Sequence, residues 1–406
     1  MFIEMYLGID DTDSPEGMCT TYLGALAARK LIADGYLVTG ARLIRLNPNV
    51  VWKTRGNAGI CLETNAPKEY LFHLACDLVE KYAMFDCENT NPGVVVLDHK
   101  PAPDFYYQAL QRFCTVEEAE ALLKAEGALY KGWKLRRGLI GATASVCAVL
   151  PDYTYEYLAY RRAEVLGTPR RFEKPGFFAS EKETAPHTWD TVDFIRQTVI
   201  CIPHGKDPVL YGIRGDAPES VTEAVGFLQT EAPAFHQIWQ TNQGTDAHIL
   251  DGPLFEGGSF KFTGTVEAAP VTRRGGHVSI SVAGVECFAF EPTKYFRNYV
   301  RALAPGDVIT VFGSFTGGVL HLEKIRVMHL AKVERRVSPR CPLCGGRMTS
   351  AGAGKGWKCR ECAGRIRETE AVAREVAEGQ WYEVPPGSRR HLAKPVVRCK
   401  ENPPEK

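Results

Sequence analysis

No stretch of eighteen or more apolar residues occurs in the 406-residue chain, so no membrane-spanning helix is expected. The first residues lack a basic segment followed by an apolar one, so the reading is a cytoplasmic protein without a secretory leader. No G-x-x-x-x-G-K-[ST] loop and no H-R-D or D-F-G set is present, which excludes the two standard phosphoryl-transfer scaffolds. There is no internal repeat and no long low-complexity tract, so a solenoid is excluded. Neither sign of charge is in excess: 49 Lys+Arg against 48 Asp+Glu leave +1. A disulfide framework is also not indicated. The thirteen cysteines are odd in number. Most stand alone among apolar neighbours (Cys61, Cys76, Cys147, Cys201) and read as free thiols in a reducing compartment.

The near-zero net charge hides an asymmetry. Residues 331–406 hold 17 Lys+Arg and 9 Asp+Glu, whereas residues 1–330 hold 32 and 39. A basic end on an acidic body suggests a polyanionic partner. A chain of this length also exceeds one ordinary core, and four segments can be drawn. Over 1–137 strand-like and helix-like runs alternate, from the apolar run at 2–9 through "CTTYLGALAARKLIADG", "VTGARLIRL", "AGICLET", residues 67–82 and "GVVVLD". The segment closes with "TVEEAEALLKAEG", a Thr N-cap with acidic residues behind it. Residues 138–254 open with "GLIGATASVCAVL", read as a strand. "TVICIPHG" and "PVLYGIRG" follow as a strand pair, then a helix near 218–229 and a strand at 235–241. That mixture suits a ferredoxin-like α+β layer. Residues 255–332 give three strands, a short helix and two more strands, the pattern of an OB-fold barrel. Residues 338–406 hold a cysteine cluster and a basic end. The fold class expected is therefore multidomain, α/β and α+β.

The most specific local signal is "CPLCGGRMTSAGAGKGWKCREC". Two C-x-x-C pairs, Cys341 with Cys344 and Cys359 with Cys362, offer four thiolates to one tetrahedral Zn²⁺. Four cysteines leave no open position, so the zinc is structural. Arg347, Lys358 and Arg360 among them make the ribbon a surface for nucleic-acid phosphates. In the barrel-like segment, "TRRGGH" places Arg273 and Arg274 in a loop suited to RNA contact, better candidates than Phe260, Phe262, Phe288 or Phe290, which are as readily core.

The N-terminal stretch "GIDDTDSPEGMCTTYLG" sets Asp10, Asp11 and Asp13 at the end of a buried strand. Three carboxylates there repel unless a hard cation joins them, most simply Mg²⁺, and Mg²⁺ implies phosphate. The helix opened by Thr20 and Thr21 aims its N–H groups at the same place. Those threonines can cap the helix, contact phosphate or accept a phosphoryl group. In "NVVWKTRGNAG", Lys53, Arg55, Gly56 and Asn57 supply fixed positive charge and close backbone approach for a triphosphate. Together these describe a kinase-like centre of non-standard type.

These pieces, with "HGKDPVLYGIRG" and "WQTNQGTDAH", resemble the archaeal tRNA(Ile) 2-agmatinylcytidine synthetase family, in the expected order over nearly the whole chain. The family's unusual kinase domain, ferredoxin-like domain, OB-fold and zinc ribbon follow the same order. The resemblance implies ATP-dependent joining of agmatine to the two-position of the wobble cytidine of the AUA-reading isoleucine tRNA. The two-position carbonyl oxygen is first phosphorylated, and the enzyme holds the tRNA at its anticodon loop and acceptor region. By position, Asp10, Asp11 and Asp13 would be the metal and catalytic carboxylates, and Thr20 or its neighbour Thr21 the phosphorylated threonine. Agmatine carries a guanidinium, and Asp207, Tyr211 and Asp216 are candidates to receive it. Two other readings compete. One is a haloacid-dehalogenase-like phosphatase, suggested by Asp11-x-Asp13 but opposed by Pro15. The other is a non-catalytic RNA-binding protein, which leaves the acidic cluster unexplained.

Overall fold

The computed structural model describes residues 4–54, 56–335, 338–352, 354–366, 370–371 and 373–399. The chain divides into two compact units, Met1–Phe262 with Phe312–Lys324 and Glu383–Lys406, and Thr263–Val311 with Ile325–Tyr382. Among the described residues no helix is long and apolar enough to cross a membrane.

The first unit runs β1 (Met5–Asp10), α1 (Thr20–Ala33), β2 (Val38–Arg45), β3 (Ala58–Thr64), α2 (Lys68–Tyr82), β4 (Gly93–Leu97), α3 (Asp104–Gln111), α4 (Val116–Ala125), β5 (Leu129–Gly132) and α5 (Gly138–Cys147). It continues with β6 (Thr154–Tyr160), α6 (Lys174–Thr184), β7 (Thr188–Trp189), β8 (Val192–Asp193), β9 (Thr198–Val199), β10 (Val209–Gly215), α7 (Pro218–Val225), β11 (Phe235–Thr241), β12 (Ile249–Leu250) and the start of β13 (Ser259–Thr265). One nine-stranded sheet has the order β5-β4-β1-β3-β2-β11-β6-β10-β7. Its halves meet where β11 pairs parallel to β2, Gln240 opposite Arg42 and Thr241 opposite Leu43. The sheet therefore crosses the division drawn at residue 137 without a break.

β1 is buried on both faces, and its side chains alternate as the pleat requires. Leu7 and Ile9 join the core that includes Leu23 and Leu31 of α1 and Leu71 and Val79 of α2. Gly8 faces α5, where an added Cβ would lie 2.3 Å from the Ala142 carbonyl oxygen. Here the structure corrects the strand read at "GLIGATASVCAVL": residues 138–147 are a helix, buried nearly all round. Its small residues serve close packing. A Cβ on Gly93 would meet the Leu139 nitrogen at 2.2 Å, and one on Gly59 the Gly141 oxygen at 2.8 Å. A helix buried on every side has no polar stripe, so it carries no 3.6-residue signal. The capping box at Thr115 forms as read, with Thr115 Oγ1 accepting from Glu118 N (3.2 Å) and Glu118 Oε2 from Thr115 N (2.6 Å).

The pair read from "TVICIPHG" and "PVLYGIRG" is also corrected. Only Thr198–Val199 is strand, and it pairs with β8. β10 lies between β6 and β7 instead. The first run leaves its ladder after Val199, where Ile200 N and Cys201 N both donate to Thr191 O. β6, α3 and α6 have no counterpart in the sequence reading.

The second unit holds the rest of β13, β14 (Val271–Thr272), β15 (Val278–Val282), β16 (Val285–Ala289), α8 (Phe296–Arg301), and the outer parts of β17 (Val308–Thr316) and β18 (Val319–His329). The ladder order is β13-β17-β18-β16-β15-β14, and a single bridge links Val266 to Val282. Among the described residues no closed barrel forms. The strands β19 (Glu334–Arg335), β20 (Met348–Ser350), β21 (Trp357–Cys359), β22 (Arg365–Ile366), β23 (Glu370–Ala371) and β24 (Trp381–Glu383) follow, with β20-β21-β22 making the ribbon sheet.

Candidate active site

β1 delivers Asp10 buried against α5. Its Oδ1 accepts from Asp11 N at 2.6 Å, and the space it fills is space a Gly141 side chain would take. The backbone then turns sharply, with Asp11 at φ 58°. Burial pushes the Asp10 carboxyl up to about 7, with the Asp13 charge adding to it. Burial, then Asp10 and Asp13, push Asp11 up to about 9, with Arg137 opposing. Thr90 Oγ1 donates to the Asp13 carbonyl at 2.8 Å and holds the far end of the turn.

Asp10, Asp11 and Asp13 line one cavity with Trp52, Lys53, Arg112, Phe113 and Arg137. The Arg137 guanidinium lies 5.9 Å from the Trp52 ring, and Trp52 lies 6.2 Å from Phe113. Lys53 Nζ donates to the carbonyls of Pro48 and Val50, and burial lowers its pKa. Asn57 Nδ2 donates to Asn47 O at 3.1 Å. Gly56 and Asn57 line the cavity, whereas Arg55 lies outside the described residues.

A second cavity of about 280 Å³ adjoins it and shares Asp13, Gly56 and Ala58. Cys19, Thr20 and Thr21 form one wall, and Arg45, Glu156, Asp207, Arg214 and His391 line it elsewhere. The threonines do not cap α1. Cys19 is the cap residue and no side chain caps it. Thr20 is already helical, and its Oγ1 accepts from Thr12 N (3.3 Å) and Thr12 Oγ1 (3.1 Å). Thr21 Oγ1 sits 3.0 Å from Cys19 Sγ. Arg45 Nη2 and Arg214 Nε hold the two oxygens of buried Glu156 at 3.3 and 3.4 Å.

The agmatine candidates are dispersed. Asp207 lines the second cavity, accepts from Val209 N at 3.1 Å and pairs with Arg170 at 3.4 Å. On β10, Gly212 and Arg214 line the cavity, whereas Tyr211 joins the core with Phe177 and lies parallel to Tyr157. Asp216 pairs with Arg398 Nε at 2.8 Å and lines neither cavity.

Over residues 389–398 the basic C-terminal end is not a free tail. Arg389 pairs with Asp190, Arg390 with Glu323 (3.3 Å), and Lys394 and Arg398 with Asp152 (2.9 and 3.0 Å), all within the first unit. These four cations are thus paired inside the first unit.

In the second unit the four sulfurs of Cys341, Cys344, Cys359 and Cys362 lie within 4.8 Å of one another, a set fitting zinc. Arg347, Lys358 and Arg360 are exposed around them. Arg274 is exposed too, and Arg273 pairs with Glu286 at 3.0 Å. Phe288 and Phe290 stack at 5.4 Å, with His277 edge-on to Phe290. Phe260, in the first unit, is core.

Models of the TiaS TCKD domain match residues 6–134, of the TiaS FLD domain 136–248, and of the TiaS C-terminal zinc ribbon domain 338–377. The isoleucine-tRNA 2-agmatinylcytidine synthetase TiaS of Methanocorpusculum labreanum is 62% identical over 406 residues, covering 98% of each chain. This chain belongs to the tRNA(Ile) 2-agmatinylcytidine synthetase family. Among solved structures it is similar to a complex of TiaS with its isoleucine tRNA and ATP, at 39% identity and TM-score 0.87 over 98% of this chain and 97% of that one. It is also similar to a complex of TiaS with the same tRNA, AMPCPP and agmatine, at 37% identity and TM-score 0.85 over the same shares. Family membership removes the phosphatase and non-catalytic readings. The sequence reading misses Arg45, Arg112, Arg137, Glu156, Arg214 and His391 in the cavity walls. Arg214 lies within "HGKDPVLYGIRG" and Arg45 just ahead of "NVVWKTRGNAG", but neither is singled out there, and no local motif marks Arg112, Arg137, Glu156 or His391.

Proposed function

We infer that this chain uses ATP to join agmatine to the two-position carbon of the wobble cytidine of the AUA-reading isoleucine tRNA, through phosphorylation of the cytosine carbonyl oxygen. The observation that carries this reading is the pair of adjoining cavities with Asp13 and Gly56 in both walls. One has the carboxylates and cations that a metal-bound triphosphate needs. The other has room for an extruded pyrimidine and an amine.

A cytosine carbonyl oxygen is a poor leaving group, and a phosphate ester at that position is a good one. Asp10, Asp11 and Asp13 are assigned to Mg²⁺. The fit rests on an all-oxygen donor set held where burial, and then the neighbouring carboxylates, drive Asp10 and Asp11 towards protonation, a cost that a hard dication removes. When bound, the ion neutralises charge on the transferring phosphoryl group. Lys53, Arg112 and Arg137 hold the phosphates, with Gly56 and Asn57 beside them; Arg55 is assigned to the same role from the sequence alone. Trp52 and Phe113 offer the flat apolar faces that suit a purine.

Thr20 is the better phosphoryl acceptor of the two threonines. Its oxygen accepts from Thr12, which leaves its own proton to be given up, whereas Thr21 is tied to Cys19. Asp207, with Glu156, is the anionic part of the agmatine pocket. Tyr211 and Asp216 act behind that wall.

The fold assignment follows the same lines. Residues 1–137 are the kinase-like catalytic domain and 138–254 the ferredoxin-like domain, supported by the antiparallel run β11-β6-β10 with α6 and α7 beside it. Residues 255–332 are OB-like, supported by the ladder order and the Val266–Val282 bridge. Arg273 and Arg274, with Arg347, Lys358 and Arg360 of the ribbon, bind the tRNA. An anticodon loop gives up a base cheaply, because its bases are already partly unstacked.

The test incubates the protein with ATP, agmatine and the AUA-reading isoleucine tRNA, and reads digested nucleosides by mass spectrometry. An agmatine adduct of cytidine is expected. Its absence with all three substrates present refutes the reading.

A further inference from the structure

The C-terminal segment after β24 returns to the first unit and carries His391 into the wall of the second cavity. The segment is firmly seated. Its backbone pairs with the loop after β11, Gly244 N donating to His391 O at 2.7 Å and Asp246 N to Leu392 O at 2.9 Å. Leu392 is buried in the core that includes Phe105 and Tyr106.

The imidazole is held from one side. Nδ1 lies 3.1 Å from Arg214 Nη2 and 3.0 Å from Gln243 Oε1. A guanidinium only donates, and a charged donor outweighs a neutral amide oxygen that Arg45 Nε already engages at 3.1 Å. The ring proton is therefore assigned to Nε2. Burial, and then the charges of Arg45 and Arg214, keep the ring neutral. Nε2 borders Gly56, where an added Cβ would be 3.1 Å from it. Gly56 is common to both catalytic cavities. Among the described residues no hydrogen bond engages Nε2.

We propose that His391 is a further residue of the reaction, a neutral imidazole oriented by Arg214 that donates from Nε2 to an oxygen of the phosphorylated cytosine or of the transferring phosphoryl group. This rests on the function proposed above. A neutral donor suits the place. It stabilises developing negative charge without adding a third cation beside Arg45 and Arg214, and without offering a proton that would quench the attacking amine.

The experiment compares wild type, His391→Asn and His391→Gln in single-turnover adduct formation, with agmatine and tRNA affinities and thermal unfolding measured alongside. Asn keeps a polar group near Nδ1 and loses the donor at Nε2, whereas Gln reaches the Nε2 position. The expected result is a fall of about 10²–10³ in the rate for H391N with affinities within a few-fold, as for loss of one preorganised donor. H391Q recovers at least tenfold over H391N, at similar thermal stability for both. Equal rates for H391N and wild type overturn the proposal. So does an equal loss in both variants that follows their thermal stability, which marks a packing role only. A wild-type protein that makes no adduct under these conditions refutes the function itself and is distinct from either outcome.

Discussion

Replacing Gly141 by alanine tests how Asp10 is held. The new Cβ would stand 1.7 Å from Asp10 Oδ2 and 2.6 Å from its Cγ, against the 3.4 Å of ordinary contact. Something must give by well over an ångström. α5 has no easy path outward, because it is buried nearly all round and its Ala144 and Cys147 pack in the core with Phe105 and Leu110 of α3. The Asp10 carboxylate is the freer partner, so it rotates off its present position. Overpacking of this kind costs about 1–3 kcal/mol, partly offset by about 0.5–1 kcal/mol from the better helix propensity of alanine. A displaced catalytic group costs far more in rate, on the order of 10²-fold for about 1 Å. The expected result is a melting temperature lowered by a few degrees, with adduct formation reduced about 100-fold. Gly127→Ala is the control, since its φ is +63° and nothing lies within 4 Å. It carries backbone strain of about 1 kcal/mol without an effect on rate. The assays are thermal unfolding and single-turnover nucleoside analysis. If G141A keeps the wild-type rate, Asp10 is not pinned by α5 and the argument from close packing is wrong.

Three further outcomes are expected. Asp10 and Asp11 titrate near 7 and 9 when folded and near 4 when unfolded, so the folded chain binds the extra protons above pH 4. Stability without metal therefore falls as pH rises from about 5 to 8, by on the order of 1 kcal/mol per unit, and Mg²⁺ flattens the trend; a melting temperature insensitive to both pH and Mg²⁺ counts against the metal site. Thr20→Ala should abolish adduct formation while Thr21→Ala keeps at least a tenth of it, and the reverse ranking would move the phosphoryl acceptor to Thr21. Lys358→Ala and Arg360→Ala should each lower the slope of log tRNA affinity against log salt by about 0.7–0.9 without altering ATP or agmatine binding, and unchanged slopes would take the ribbon out of the tRNA interface.

What can be read from the sequence divides by the range of the interaction that carries it. The zinc ligands are legible because each C-x-x-C pair is a local device, and the structure brings all four sulfurs within reach of one ion. The α4 capping box is legible for the same reason, as one hydroxyl and one carboxylate act three residues apart. β1 and the acidic turn are legible because strong apolar and strong polar signals abut. α5 reads wrongly as a strand because burial on every side removes the contrast that periodicity needs, and its close packing depends on the glycines of three other strands. β10 falls beside the wrong partner because strand pairing is a non-local choice, with no record in either strand alone.

The cavity walls follow the same rule. Arg45 belongs to β2, Glu156 to β6, Arg214 to β10 and His391 to the chain's far end, and only the fold makes them neighbours. Arg45 and Arg214 share buried Glu156, and Arg214 also pairs with Asp190 at 3.6 Å, so guanidiniums and carboxylates alternate here, apart from the carboxylates Asp10, Asp11 and Asp13. That division of charge suits a reaction in which a dication and a phosphate must meet on one side and a cationic amine must enter on the other. A cation beside the proposed agmatine route would repel it, and Glu156 and Asp207 are the carboxylates in that cavity wall that offset it. Glu156→Gln therefore tests the arrangement from the opposite side to Gly141→Ala. It removes the carboxylate that Arg45 and Arg214 share, leaving Arg214 with Asp190 at 3.6 Å, and agmatine affinity should fall about tenfold or more while ATP binding holds or strengthens. Equal weakening of both ligands would mean that Glu156 only supports the fold.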